Sequence, residues 1–272
     1  MGLRVNTNLF SLTAQRNLNN VTSRLQGNFS RLASGLRIAS ASDDAAGLGI
    51  SERMRSQIRS LSQASRNAQD GTSLVQSAEG ALGETSSNLA RMRELAVQAS
   101  NGTLNTQDRA TINSEFTALA TEITRIANQS EFNGIALLNQ SSGSIAIQIG
   151  INVGETIAIS LNDTTATALG VSTLTATTVT NATSSLATLD TAIDSINTIR
   201  GSLGAAQNRL QSSMRSILNT RENLSAAESR IRDLDIAEET ADLTRNSILQ
   251  QASVSILAQA NTQPQIALSL LQ

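Results

Sequence analysis

The chain has 272 residues, a net charge of −2 and 15% charged residues, with no Cys, His, Trp or Tyr and only four Phe. Lacking Cys and His, it loses most soft metal sites and has no Ser–His or Cys–His nucleophile pair. Without a basic patch or stacking aromatics it does not have the profile of a nucleic-acid binder. Only a carboxylate mechanism stays formally open, and no cofactor is expected. No stretch reaches the roughly 20 apolar residues of a membrane helix. Arg4 is followed by Asn6, Thr7 and Asn8, which is not the apolar run of a cleaved export signal. The apolar content is mostly Ala, Leu, Ile and Val, which suits thin helix–helix seams better than a thick core.

The first helical pattern begins near Val5. Leu18, Val21, Leu25, Phe29, Leu32 and Leu36 recur at steps of 3 and 4 with an eleven-residue period. Such a period predicts a nearly straight, weakly right-handed seam. Gly35 interrupts it, and Ser34 to Gly49 reads as an irregular connector in which Ser42-Asp43-Asp44 caps the next helix. Asp43 and Asp44 read as cap chemistry in preference to a metal pair.

The second helix is the cleanest pattern. Met54, Leu61, Ala68, Val75, Leu82, Leu89 and Ala96 stand seven apart without a miss, predicting a left-handed coiled-coil seam about 63 Å long. Gly71, Gly80 and Gly83 should each weaken it by about 1 kcal/mol relative to Ala. Asn101-Gly102 closes this helix. A further helix fits Thr106 to Gln129, with Ile112, Phe116, Leu119, Ile123 and Ile126 on one face, and Asn133-Gly134 marks a turn.

The period then changes to two. Ile145, Ile147 and Ile149 alternate, as do Ile157, Ile159 and Leu161, which reads as a β-hairpin. The Thr-rich stretch Asp163 to Ser185 shows the least pattern. It should hold turns, with room for another strand pair, and be the surface most tolerant of change. Helical spacing returns from about Leu186 and runs through Leu189, Ile196, Leu203, Leu210, Ile217, Leu224, Ile231 and Leu234, then through Ile248 and Ile256. Pro264 should kink or restart a short terminal helix. The fold class is therefore mainly α. It is a long antiparallel coiled-coil rod with a small β-hairpin region, about 140–185, near the middle of the chain.

Several blocks carry a resemblance. Arg31 to Ile50 (RLASGLRIASASDDAAGLGI) and Leu89 to Thr103 (LARMRELAVQASNGT) resemble the N-terminal signature of bacterial flagellins, and Glu131-Phe-Asn-Gly134 is similar to the turn before their β region. Glu222 to Asp235 (ENLSAAESRIRDLD) and Leu249 to Leu271 (LQQASVSILAQANTQPQIALSLL) resemble the C-terminal signature. Many flagellins carry large outer domains between these ends. Here fewer than fifty residues fill that place, so the resemblance implies a minimal form. It implies an inner domain of 1–44 and 229–272 and a rod-like domain of 45–228.

The resemblance also implies a function. The chain would be the structural subunit that polymerises into the flagellar filament for motility. It would leave the cell unfolded through the flagellar type III system to a secreted, extracellular location. Implied partners are further copies of itself, an export chaperone at the C-terminal helix, the filament cap and hook-associated proteins. The terminal stripes, Leu18, Val21, Leu25, Phe29, Leu32, Ile231, Leu234, Ile248 and Ile256, would form the assembly seam. On spacing alone they read equally well as an ordinary bundle core. A lone one-striped helix is marginal in water, so residues 1–40 and 230–272 should order only on assembly. Arg91, Leu95 and Glu115 match positions read by a vertebrate Toll-like receptor in related flagellins, and otherwise read as a filament contact. Asp233, Asp235, Glu238, Glu239 and Asp242 read as a solvated or intersubunit charged face beside Arg230, Arg232 and Arg245.

Three other readings compete. A hook–filament junction protein shares the terminal helices and export route. A catalytic insert of the His-Glu-x-x-His type is excluded by the absence of His. A helical adaptor would stay monomeric with ordered termini.

Overall fold

In the computed structural model, the described residues are 7–140 and 143–269, with side chains to residue 263 in the last helix. The start of the first pattern near Val5 lies outside them. The chain forms two compact units, residues 1–56 with 223–272 and residues 57–222. The mainly α class holds, with five helices and two small antiparallel strand pairs among the described residues.

The first unit is built on α1 (Leu9–Ser34) and α5 (Ile236–Ser269). The Asn8 side chain caps α1 by accepting from the Ser11 amide at 3.1 Å. Gly35 ends the helix in the left-handed region, φ 69°, a conformation that costs glycine little. α1 and α5 run antiparallel. Asn8 and Ser11 meet Ala260 and Asn261 at one end, and Asn28 meets Glu239 at the other.

Both chain passages break at the same level. The Leu36–Asp233 bridge is flanked by Arg37 N–H donating to Arg232 O (2.7 Å) and Leu234 N–H donating to Gly35 O (3.1 Å). Leu36 and Leu234 therefore sit in short extended connectors and do not continue the helical stripes. Local polar groups draw the backbone out of helix there. Asp235 accepts from the Ala237 and Glu238 amides and starts α5. Pro264 does not restart α5, which runs on to Ser269. Asp44 accepts from Gly47 N–H, and Asp43 accepts from the Ala39 and Ser40 amides and the Ser40 hydroxyl. Both aspartates thus serve the turn before α2.

The second unit contains most of α2 (Ala45–Ala99), α3 (Thr106–Gln129) and most of α4 (Val179–Arg232). Leu61, Ala68, Val75, Leu82, Leu89 and Ala96 are all buried, as the heptad spacing requires. Arg93 pairs with Asp190 and Glu79 with Arg200, so α2 and α4 are antiparallel within this unit. Phe116, Ile123, Leu189 and Ile196 join them in one core. Asn105 and Asp108 form a reciprocal capping box at the start of α3.

Asn133 (φ 50°) and Gly134 (φ 76°) form a two-residue turn between β1 (Glu131–Phe132) and β2 (Ile135–Ala136). Positive φ at both positions is the hairpin geometry that Asn-Gly favours. The main hairpin pairs β3 (Gly143–Gln148) with β4 (Thr156–Leu161), with Ile145 opposite Ile159 and Ile147 opposite Ile157.

The Thr-rich stretch departs from expectation. It holds no second strand pair, α4 begins at Val179 rather than near Leu186, and Thr164, Val171 and Ala176 are completely buried. Small side chains let this loop pack into the core. Thr164 N–H and hydroxyl both donate to Leu138 O, so its polar groups cost little there.

Candidate functional site

The α1–α5 pair carries the seam residues. Their burial divides them. Leu25 is buried, and Leu18, Val21, Leu32, Ile231 and Leu234 are half-buried. Phe29, Ile248 and Ile256 are 60%, 61% and 61% exposed, so they face away from the intramolecular contact. Leu9, Phe10, Leu12, Leu249 and Val254 are exposed as well. On α5 these side chains project to both flanks and the back of the helix, which a helix does only when it is to be surrounded. Isolated apolar side chains on a surface are ordinary, but these eight on one helix pair are more than isolated cases.

Inside the pair lies a polar layer that the apolar pattern did not point to. Asn28 Nδ2 donates to Glu239 Oε1 (2.5 Å), Asn246 Nδ2 donates to Asn28 Oδ1 (2.9 Å), and Arg31 stands 3.6 Å from Glu239. Asn28, Glu239 and Asn246 are all buried. Glu239 is therefore not part of a solvated acidic face, because its carboxylate is held between the two helices. The sequence did carry a signal: Asn28 falls between Leu25 and Leu32 on the α1 stripe, and Glu239, Asn246 and Ala260 share one heptad face of α5. Of the other acidic residues, Asp242 pairs with Arg245. Arg232 instead reaches Glu52 at 2.7 Å, and that hydrogen bond draws the Glu52 carboxyl below its ordinary range.

The second unit holds the other singled-out residues. Arg91 and Glu115 join α2 to α3 at 2.8 Å, and Arg91 also reaches Glu94. The hydrogen bond to Glu115 raises the Arg91 pKa further. Leu95, one turn along, is 1% exposed and belongs to the core. Arg109 is a buried cation with no carboxylate partner. Its guanidinium donates to three carbonyls, Ala99 O, Asn101 O and Leu104 O, at 2.7–3.0 Å. It thereby satisfies the last carbonyl of α2, where cations are favoured, and two carbonyls of the loop that follows. Among the described residues no cluster of metal-ligating side chains forms and no helix is long and apolar enough to cross a membrane.

Long helices that leave apolar side chains such as Phe29, Ile248 and Ile256 outside their own packing have the character of a structural subunit. The comparisons identify the kind. The bacterial flagellin N-terminal helical region matches residues 5–143, and the C-terminal helical region matches 186–271. A flagellin of Halalkalibacterium halodurans is 48% identical over 98% of this chain and 99% of its own length; a flagellin of Bacillus subtilis is 42% identical over 99% and 100%. The crystal structure of Bacillus cereus flagellin is 35% identical, covering 60% of this chain and 94% of that one, with a TM-score of 0.52. This chain belongs to the bacterial flagellin family. It is a structural subunit of the bacterial flagellar filament, extracellular and not an enzyme. The hook–filament junction reading gives way, because these relatives, matched over their whole length, are flagellins.

Proposed function

We propose that the terminal helices, residues 1–44 and 229–272, are the inner domain and polymerisation element of this subunit, and that 45–228 is a second, rod-like domain. The observation that carries this is the exposure of Phe29, Ile248 and Ile256 on a helix pair already closed by Leu25 and the polar layer. Each such side chain stabilises a subunit contact by about 1.5–3 kcal/mol when buried. Contacts repeated head to tail without closing generate an open helical filament. Leu18, Val21, Leu32, Ile231 and Leu234, half-buried in the lone chain, complete the seam with neighbouring copies.

The same reading covers the route to the filament. A helix pair this thin is marginal before assembly, which suits export in the unfolded state through the type III channel. An export chaperone would cover the apolar flanks of α5, and the filament cap and hook-associated proteins would meet the same ends. On the second unit, Arg91 and Glu115 present the polar surface of a host Toll-like receptor epitope. Leu95, buried beneath them, supports that surface without touching a receptor.

The test is seeded polymerisation of the full chain against a chain lacking residues 1–20, followed by negative-stain microscopy. Long filaments from the full chain and none from the truncated one are expected. Unimpaired filaments from the truncated chain would reject the terminal helices as the polymerisation element.

A further inference from the structure

The apolar residues of α5 do not by themselves decide how it meets α1. Ile236 and Val254 flank one side of the contact, Leu249 and Ile256 flank the other, and Ile248 lies nearly opposite it. Turning or sliding α5 against α1 would exchange one set of aliphatic side chains for another at little cost. Besides the connector bridge at Leu36–Asp233 and the bonds of Asn8 and Ser11 to Ala260 and Asn261 at the far end, the Asn28, Glu239 and Asn246 side chains distinguish one arrangement from the rest inside the contact. They are buried and hydrogen-bonded to one another across the two helices.

We propose that this polar layer is the register determinant of the terminal helix pair, and that it decides which faces of α5 remain for neighbouring copies. The inference rests on the reading of these helices as the polymerisation element. Sliding α5 by one heptad, so that Ser11 meets Val254 in place of Asn261, sets Asn246 against Val21 and Ala14. Asn246 then has no partner, while Asn28, which met both Glu239 and Asn246, keeps only Glu239 and loses the Asn246 amide. A buried amide or carboxylate left unpaired is costly, whereas the correctly paired layer costs little. A buried polar residue at an otherwise apolar position fixes register by this means in coiled coils. The layer therefore gives up some stability to exclude slipped pairings.

The chain has no Cys, so engineered cysteine pairs report register directly. Ser11→Cys with Asn261→Cys reads the observed register, because Ser11 Oγ and Asn261 Oδ1 lie 2.7 Å apart. Ser11→Cys with Val254→Cys reads the slipped one. Each pair is placed in the full chain, assembled onto filament seeds and oxidised, and the intrachain disulfide is quantified on non-reducing gels. With the polar layer intact, only the 11–261 pair should close. With Asn28→Leu, Glu239→Leu and Asn246→Leu combined, the 11–254 disulfide should rise by about tenfold or more as the penalty for slipping disappears. The milder Asn246→Leu alone should give a smaller rise and covers the case in which the triple variant fails to assemble. If the 11–261 pair does not close in the intact background, the paired terminal helices themselves are rejected. If it closes there, and both layer variants still give only the 11–261 disulfide, the register role alone is overturned.

Discussion

Ile147 on β3 stands 3.1 Å from the point where a Cβ on Gly71 of α2 would lie. The hairpin reaches the helix by close approach to a glycine, and Asn67 Nδ2 fastens it by donating to Gln148 O at 3.0 Å. The helix-weakening glycines of α2 are thus not equivalent. A Cβ on Gly80 or Gly83 would meet nothing within 4 Å.

Gly71→Leu should therefore destabilise the second unit by about 1–3 kcal/mol through overpacking. Gly80→Ala and Gly83→Ala should each stabilise it by about 0.5–1 kcal/mol. Thermal unfolding of the monomer followed by circular dichroism separates the two cases; equal effects at all three positions would contradict the close approach.

Arg109→Lys should cost about 2–4 kcal/mol, because one ammonium cannot reproduce three guanidinium bonds to fixed carbonyls. Denaturant titration measures the loss, and amide exchange across 100–105 should accelerate. A change under about 0.5 kcal/mol, the range of an ordinary surface substitution, would mean the three carbonyls are satisfied otherwise.

The pH response should be flat over a wide window. All twenty basic residues are arginine, and the chain has no His, Cys or Tyr, so no side chain titrates between the carboxylates and the guanidinium groups. Hydrogen bonds from Arg93 to Asp190 and from Arg232 to Glu52, and the Asn152 amide and side chain at Glu155, hold these carboxyls below their ordinary pKa. A depressed folded pKa contributes stability that is complete above the unfolded value and is lost as pH falls through the folded one. The melting temperature should thus hold steady from about pH 6 to about pH 10 and fall below about pH 4. A clear transition between pH 6 and 9 in the melting curve would refute this.

Phe29→Asp and Ile248→Asp should each raise the critical concentration for polymerisation by roughly ten- to a hundredfold, from 1.5–3 kcal/mol of lost burial. The unfolding of the second unit should not move. Sedimentation of seeded assembly reactions reads the first effect, and circular dichroism at a temperature where only that unit is folded reads the second.

Much of this protein was legible in its residues. The heptads of Met54 to Ala96, the helix at Thr106 to Gln129 and the Ile145–Leu161 hairpin follow from period alone, because a helix or strand that must bury one face writes that face into the spacing. The flagellin blocks at both ends gave the family and, with it, the filament role. Spacing did not reveal which apolar positions pair within the chain. Leu25 and Phe29 sit on one stripe, yet one is buried and the other exposed, since burial depends on where the partner helix lies. Nor could composition tell the loop that buries Thr164, Ala166, Val171 and Ala176 from a tolerant surface, or the buried Glu239 from its acidic neighbours. Those distinctions arise from side chains hundreds of residues apart meeting across α1 and α5, or from a loop folding back onto a distant core. A local pattern records that a residue wants a partner; only the tertiary structure supplies which one it gets.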